Sequence, residues 1–337
     1  MPVPVHNTSM ALLNQSDAGA SHAEGSSRQP RQPTSLQGLL RFSMEATRAE
    51  DAPRDATFEP MDEERRKFLE NALKSMTVDV VEILRKQIDI LKKVEQLGSV
   101  DDSSEYMQAI ETILDYVDNI DIANDFHKIG GFMILHPCFK CLNAQVRAGG
   151  CEILAVLCQN NPYCQQVVLD NKIIPCLINM IENDENSNVV VKALYGLSSI
   201  VRDNSECFNE LVEHNGLIVL LNALKKNNEK FIIKACFLLA SVCRSTTEVK
   251  NKLITLGYVS ALIDLFSMER SPSHEHVLAL LVCLVEDNQN AIAECRNSSF
   301  NLKDLLHRYI VNVRNKDECQ EEEEYCKRLL HVLNSES

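Results

Sequence analysis

The sequence has no tryptophan and few of the residues that interrupt regular structure. Its 337 residues include only 11 glycines and 10 prolines, and six of the prolines fall within the first 60 positions. Few remain for the tight hairpins that an all-β fold requires. From about residue 61 onward apolar residues recur with helical spacing, and no stretch alternates as a strand would. The sequence therefore predicts an all-α protein.

The chain is also short of positive charge and of long apolar runs. Its net charge of −14 argues against nucleic acid or an anionic membrane as the main partner. No apolar run reaches the ~18–20 residues that span a membrane, and the start MPVPVHNTSMALLNQ lacks the pattern of a signal peptide. We expect a monomer that needs no cofactor and works in the cytosol.

The 13 cysteines lie mostly in apolar runs such as KACFLLASVC. In the reduced cytosol such cysteines act as small apolar side chains, so we expect core cysteines to be reduced and shielded from thiol reagents. The clearest examples are Cys158, Cys176, Cys236 and Cys243. Cys138 and Cys141 have CxxC spacing beside His136, but a structural zinc site needs a second ligand pair, and none follows.

Two other stretches carry chemically capable side chains. HEH (274–276) offers two imidazoles, but residues two apart point to different sides of a helix. QEEEEYC (320–326) offers carboxylates, and a charge run of this kind usually forms a solvated helix face. No phosphate-binding loop, nucleophile elbow or catalytic triad signature is present. The sequence thus gives no ground for an enzyme or a metal site.

Residues 1–60 are rich in Ser, Gln, Pro, Ala and Arg, a composition that predicts a disordered tail. Pro60 and Asp62 then mark a plausible helix start. One apolar cluster interrupts the tail, SLQGLLRFSM at residues 35–44, although no Leu, Ile, Val, Met or Phe occurs in 14–35 or 45–57. An exposed apolar cluster on a disordered tail usually marks a contact.

The central part of the chain repeats itself. A shift of 42 residues aligns KALYGLSSIVRDN (192–204) with KACFLLASVCRST (234–246) and HVLALLVCLVEDN (276–288). A period near ~42 with three helical patterns per unit fits armadillo or HEAT solenoids, and a recurring Gly before a helix favours armadillo. We predict a right-handed armadillo-like solenoid of about four three-helix repeats. Its parts are a helical cap at 61–120, repeats at 121–290 and a second cap at 291–337.

The third helix of an armadillo repeat is the longest, and its outer stripe lines the concave groove. Steps of 4, 3 and 4 from Lys192, repeated at 42-residue intervals, define a narrow mixed stripe that we predict to bind a protein. Its candidate contact residues are Lys192, Ser199, Asp203, Lys234, Ser241, Ser245, His276 and Asp287. The same steps place Gly196, Leu238, Leu280 and Cys283 on the stripe. The alternative is that these are ordinary solvated residues of surface helices.

Several blocks occur together in an order that resembles one family. They are LQGLLRFSM, EPMDEERRKFLENAL, DNIDIANDFHKIGG, VKALYGLSSIVRDN, SPSHEHVLALLVCLVEDN and LKDLLHRYI with EEEEYCKRLL. From about residue 35 to 331 the chain resembles the armadillo-type nucleotide exchange factors of the cytosolic seventy-kilodalton heat-shock chaperone. The resemblance implies that the groove binds the second lobe of the chaperone's ATPase domain and disturbs the first. ADP then leaves, ATP enters and the bound client is released.

The resemblance also offers a role for residues 35–44. The family's N-terminal segment is a release element that mimics a client and occupies the chaperone's peptide groove. Such grooves favour a short extended Leu-rich run with flanking basic charge. The residues that fit this description here are Leu36, Leu39, Leu40, Arg41 and Phe42. Two alternatives are a short amphipathic helix, too short to be stable alone, and a segment that docks on its own solenoid.

Two rival functions remain open. A nuclear-import adaptor would resemble armadillo proteins whose grooves carry ladders of Trp and Asn, but this chain has no Trp. An armadillo scaffold or adaptor would bind another protein or an extended peptide in the same groove without exchange activity. The basic residues Lys192, Lys234 and His276 form a row that we call the ladder. The first repeat departs from it, because a shift of 42 residues places Gly150 at the position equivalent to Lys192, with Arg147 three residues earlier. We therefore expect the ladder to begin late or out of register there.

Overall fold

The computed structural model describes residues 79–245 and 247–335, together with Glu63, Glu64 and Lys67. The predicted tail, its segment 35–44 and the helix start at Pro60 and Asp62 lie outside these residues, as does the side chain of Ser245. Within the described part every regular element is helical. The all-α prediction is therefore confirmed.

Two helices, α1 (Val80–Leu91) and α2 (Ser104–Val117), precede a series of three-helix sets. The sets consist of α3 (Ile120–Lys128), α4 (Leu135–Lys140) and α5 (Ala144–Cys158); α6 (Pro162–Asp170), α7 (Ile173–Asn183) and α8 (Ser187–Val201); α9 (Ser205–Glu213), α10 (Gly216–Leu224) and α11 (Glu229–Ser245); α12 (Thr247–Thr255), α13 (Tyr258–Phe266) and α14 (Ser273–Val285); and α15 (Gln289–Cys295), α16 (Leu302–Val313) and α17 (Gln320–Asn334). Short 3₁₀ turns occupy Val94–Gln96, Gly131–Ile134 and Asp317–Cys319.

The third helix is the longest member of every set. In the first four sets it has 15, 15, 17 and 13 residues, whereas each first helix has 9. Successive third helices pack side by side, from α2 through α5, α8, α11 and α14 to α17. Because each set buries its apolar faces against the next, the stack forms one continuous core.

The recurring asparagine motif has a structural role at the ends of the third helices. The motif reads QNN at 159–161, RDN at 202–204 and EDN at 286–288. Its middle residue adopts a left-handed backbone, with φ of 53° at Asn160, 62° at Asp203 and 57° at Asp287. The following Asn caps the next first helix through its side-chain oxygen. Its amide nitrogen also donates to the preceding set, as from Asn288 to Asn251 Oδ1 at 2.7 Å. The motif therefore ends one helix, starts another and joins neighbouring sets.

A second left-handed residue separates the first helix from the second. It is Gly in two sets, Gly130 and Gly257, both with φ of 88°, and Lys172 and Asn215 in the sets between them. Within the repeats predicted at 121–290 the expected glycine thus occupies this position in two of four sets, and in a third Gly216 follows one residue later. The other two hold a non-glycine residue in a conformation that side chains rarely adopt.

The acidic run at residues 320–326 is only partly the solvated face that its composition predicts. Glu321 and Glu324 are exposed, but Glu322 is buried. Arg270 and Tyr309 both donate hydrogen bonds to its carboxylate. The expectation was wrong at Glu322 because these two partners come from distant parts of the chain, where a local charge pattern gives no sign of them.

Candidate partner-binding face

Lys192, Lys234 and His276 occupy equivalent positions on α8, α11 and α14, and all three are partly exposed. Since these helices pack side by side, the three residues share one surface. We call the exposed residues of α5, α8, α11 and α14 the third-helix face. The structure thus brings together the three basic residues that the 42-residue period selects.

On each of these helices the next residue of the predicted stripe is one position away from the side chain that reaches the surface. Gly196, Leu238 and Leu280, each four residues after the basic position, are buried. The residues that reach the surface lie three positions after it instead: Phe237 on α11 is exposed, and Tyr195 on α8 and Ala279 on α14 are partly exposed. Both steps are compatible with 3.6 residues per turn, so periodicity alone could not decide between them.

The remaining candidates have different environments. Ser199 is buried, and its hydroxyl donates to the Tyr195 carbonyl at 3.1 Å. Ser241 is partly exposed, whereas Asp203 and Asp287 are exposed at the turns that end their helices. Cys283, on the predicted stripe, is buried. The part of these residues in binding stays a prediction.

The helix caps explain why the first repeat departs from the ladder. Asn143 caps α5 and Asn186 caps α8, 43 positions apart, whereas the aligned blocks of α8, α11 and α14 repeat every 42 positions. Gly149, not Gly150, is therefore the counterpart of Lys192. Arg147 lies on a different side of the helix, where it forms a bidentate ion pair with Asp184 at 2.7 and 3.0 Å.

The N-terminal end of the third-helix face is acidic. A cleft of about 550 Å³ runs between α2, α5 and α8, and Glu111 and Glu152 are among the residues that line it. Lys192 also lines this cleft, where its Nζ lies 2.5 Å from Glu152 Oε1. The first basic residue of the ladder is thus already neutralised by a neighbouring repeat.

A second cleft, of about 300 Å³, lies further along the face. We call it the cation–aromatic cleft, and it is lined by Gln159, Tyr195, Arg202, Lys234, Phe237 and His276. Lys234 Nζ stands 4.8 Å from the ring centre of Tyr195, and Arg202 Cζ stands 5.7 Å from that of Phe237. These distances place both cations over aromatic faces.

Sequence reasoning missed Tyr195, Arg202 and Phe237. A signal was available for the two aromatic residues, because Tyr195 and Phe237 lie 42 positions apart, each three residues after a lysine. Arg202 closes α8, and its alignment with Arg244 one period later is equally visible. The predicted stripe excluded all three residues, because its first step from each basic position was four residues.

The side chains considered for metal or redox chemistry are dispersed. Cys138 and Cys141 are buried, and burial raises the pKa of the Cys138 thiol to about 12. His136 Nδ1 instead lies 3.8 Å from the Sγ of Cys176. Across the described residues no three His, Cys, Asp or Glu side chains are grouped so that they could hold a metal ion.

The two imidazoles of HEH have different neighbours. His274 is buried, and its Nδ1 lies 3.2 Å from the Tyr309 hydroxyl, whereas His276 lines the cation–aromatic cleft. Among the core cysteines, Cys158, Cys236 and Cys243 are buried, and Cys176 is partly exposed, so the predicted shielding does not extend fully to Cys176. The neighbouring Cys243 thiol lowers the pKa of Cys283 although burial opposes that shift, whereas burial raises the pKa of Cys236.

The fold has clear counterparts among solved structures. A designed armadillo repeat protein matches with a TM-score of 0.57 and 18% identity over 72% of this chain and 99% of its own. Another, solved with the peptide (KR)4, matches with a TM-score of 0.60 and 15% identity over 76% and 100%. At these identities the likeness concerns the fold alone. The chain is an armadillo-type helical repeat protein with an open face on its third helices.

Comparison of sequences identifies the family. The model of the SIL1/FES1/HPBP1 C-terminal domain matches residues 122–252, and that of the nucleotide exchange factor Fes1 matches residues 36–126. Hsp70-binding protein 1 of Mus musculus is 31% identical over 329 residues, which cover 95% of this chain and 91% of that protein. Hsp70 nucleotide exchange factor FES1 of Coccidioides immitis is 29% identical over 31% of this chain and 49% of its own length. The chain therefore belongs to the SIL1/FES1/HPBP1 family of nucleotide exchange factors, which confirms the resemblance seen in its sequence blocks.

Neither matched family is described as a family of enzymes. In the described part of the chain no helix has the length and apolar character needed to cross a membrane.

Proposed function

We propose that this chain is a co-chaperone that accelerates nucleotide exchange on Hsp70. The third-helix face binds the ATPase domain of the chaperone, ADP leaves, ATP enters and the client is released. The family match extends over nearly the whole chain, and the relatives carry the names Hsp70-binding protein 1 and Hsp70 nucleotide exchange factor. We further propose that the protein acts as a monomer in the cytosol, without a cofactor and without catalytic residues of its own.

The observation that supports this proposal most directly is the row of third helices. It aligns Lys192, Lys234 and His276 on one surface and leaves an open cleft between the last two and Arg202. Aromatic residues and Arg are enriched at protein–protein contacts. The other proposed contacts are Ser199, Asp203, Ser241, Ser245 and Asp287, to which we add Tyr195, Arg202 and Phe237.

Exchange by this route requires differential binding and no covalent chemistry. A protein that lowers the affinity of the ATPase domain for ADP by some factor must itself bind the nucleotide-free domain more tightly than the ADP-bound domain, by the same factor. A typical coupling of about 1–3 kcal/mol corresponds to a factor of about 5–150. This reciprocity is what separates an exchange factor from a scaffold, which binds both forms equally.

The N-terminal tail contributes a second activity in this proposal. The segment 35–44 occupies the peptide groove of the chaperone and prevents the released client from rebinding. The Fes1 family match begins at residue 36 and so includes the apolar cluster. Because the segment is covalently joined to the part that binds the chaperone, its local concentration there is raised, so weak intrinsic affinity suffices.

Release of a fluorescent ADP analogue from Hsp70 in the presence of excess unlabelled ATP tests the proposal. We expect the release rate to rise with the concentration of this protein and then to saturate. Calorimetry in the same conditions should give a lower Kd for the nucleotide-free ATPase domain than for the ADP-bound domain. Binding with an unchanged release rate and equal Kd values would identify a scaffold instead, and absence of binding would refute the proposal altogether.

A further inference from the structure

The cations of the cation–aromatic cleft have no acidic partners in the part of the fold that the structure describes. Within the described residues neither Arg202 nor Lys234 forms an ion pair with a carboxylate, and His276 forms none either. Each of the two longer side chains is matched only with a ring, Arg202 with Phe237 and Lys234 with Tyr195. The cleft thus concentrates positive charge that the fold does not neutralise.

Two other partly buried cations in the described part of the chain are paired with carboxylates. Arg147 binds Asp184, and Lys192, on the same face as the cleft, binds Glu152. With 48 acidic and 34 basic residues, carboxylates are abundant, so unpaired cations in a cleft are not a result of a general shortage. The pairing of Lys192 also shows that a neighbouring third helix can supply a carboxylate at this spacing.

The aromatic wall adds a second feature. Phe237 is 50% exposed, whereas Ile232, Leu238 and Leu239 of the same helix are buried, and both Phe237 and Tyr195 line the cleft. Exposed aromatic surface beside a cation is stabilised when a partner covers it, because apolar area leaves water and the charge acquires a counterion. The cation–π contacts also hold both cations in place before binding, which reduces the ordering cost on association.

We propose that this cleft receives an aspartate or glutamate side chain of the Hsp70 ATPase domain, with an apolar neighbour of that residue packed on Phe237. The proposal rests on the proposed function for the identity of the partner. Arg202 supplies a planar donor fork that matches a carboxylate, and Lys234, on the neighbouring helix α11, supplies a point charge. The net charge of −14 disfavours a nucleic acid at the same place.

Neutral variants of the full-length chain test the cleft. Calorimetry should measure the Kd for the Hsp70 ATPase domain of wild type and of Arg202→Gln, Lys234→Gln and Phe237→Ala. We expect each change to raise the Kd by about 10-fold, as removal of a paired charge or an aromatic anchor does. Lys225→Gln, an exposed lysine outside the cleft, is the matched control and should change Kd by less than about 2-fold. Lys234→Arg keeps the charge and should retain binding.

The salt dependence provides a second readout. Affinity of the wild type should fall as salt is added, and the Arg202→Gln/Lys234→Gln double variant should show a weaker dependence, because fewer charge contacts remain to be screened. Far-ultraviolet circular dichroism should show unchanged helicity, since neither cation has a carboxylate partner in the fold.

Each other outcome has a definite meaning. If the wild type binds and accelerates ADP release but the three variants behave like Lys225→Gln, the cleft proposal is refuted and the exchange function stands. If the wild type does not bind, the proposed function fails, and the cleft proposal with it. If the variants bind more tightly than the wild type, the cleft holds an acidic segment of this chain, which also overturns the proposal.

Discussion

Arg270 and Glu322, 52 positions apart in sequence, form a bidentate ion pair. Arg270 Nε donates to Oε2 at 3.1 Å and Nη2 donates to Oε1 at 2.7 Å. The Glu322 side chain is 3% exposed and that of Arg270 is 37% exposed. Tyr309 donates a further hydrogen bond to the same carboxylate. One buried acid on α17 therefore anchors both the loop before α14 and the helix α16.

We expect Glu322→Gln to lower the free energy of unfolding by about 2–3 kcal/mol, below the 3–5 expected for a fully buried pair because Arg270 is partly screened by water. The neutral amide keeps the shape but loses the charge-assisted hydrogen bonds. Urea denaturation followed by circular dichroism measures the change. Glu321→Gln, one residue earlier and exposed, should have an effect within about 0.5 kcal/mol. Equal stabilities for the two variants would show that the pair contributes little.

His274 makes this region sensitive to pH. Burial lowers the pKa of His274, and the nearby Glu322 carboxylate and Leu265 backbone oppose the shift less strongly, while Arg270 adds to it. Because the folded-state pKa is below the unfolded value of about 6.5, the neutral ring favours the fold. This stabilisation is present above about pH 6.5 and is lost as pH falls through the folded pKa.

We therefore expect His274→Gln to flatten the fall in unfolding free energy between about pH 7 and pH 5, since no imidazole remains to take up a proton on unfolding. His307→Gln, on an exposed position of α16, is the control and should leave the pH profile as in the wild type. Urea denaturation at a series of pH values provides the measurement. An unchanged slope in the His274 variant would contradict the prediction.

Variants of the ion pair between Lys192 and Glu152 distinguish an effect on stability from an effect on binding at the third-helix face. Both side chains are partly exposed, so Lys192→Glu should cost only about 1 kcal/mol of stability. Adding Glu152→Lys restores the pair with reversed polarity and should restore stability. If Lys192 also contacts a partner carboxylate, both variants should lose about 2–5 kcal/mol of binding free energy to the Hsp70 ATPase domain.

The control for this experiment is the exposed pair on α1. Glu82 and Lys86 lie 2.9 Å apart, away from the third-helix face, and their reversal should leave affinity unchanged. Calorimetry and urea denaturation on the same samples provide the two readouts. A charge-swapped Lys192 variant with wild-type affinity would place the first contact of the ladder beyond this position.

The sequence predicted the architecture well because the features that define it are local and repeat. The 42-residue period located the third helices and aligned Lys192, Lys234 and His276, which the structure places on one face. Register was harder, since a step of three or four residues fits a helix equally well, and only the packing of neighbouring helices exposes Phe237 and buries Leu238.

Features that depend on distant partners could not be predicted. Glu322 is buried because Arg270 and Tyr309 surround it, and no local pattern indicates that arrangement. The unpaired state of Arg202 and Lys234 is likewise a property of the assembled helices. The one-residue shift between the first and second repeats arises from one extra residue between Lys172 and the Asn186 cap, and it becomes clear only when the helix starts are known.

The last prediction concerns residues 35–44. We expect replacement of Leu36, Leu39, Leu40 and Phe42 by Ser to leave the ADP release rate nearly unchanged, because the third-helix face lies elsewhere in the chain. Displacement of a labelled client peptide from Hsp70 should become slower or less complete, most clearly when competing client is abundant, since the tethered competitor is lost. Fluorescence anisotropy of the labelled peptide provides the measurement.

Deletion of residues 1–50 should reproduce this separation of activities, and replacement of the polar residues Gln15, Ser16 and Ser21 by Ala in the same tail is the matched control that should change neither readout. Loss of ADP release in the quadruple variant would assign the segment to the fold or to the third-helix face. Retention of both activities would refute client mimicry, and the apolar cluster at 35–44 would then require another partner.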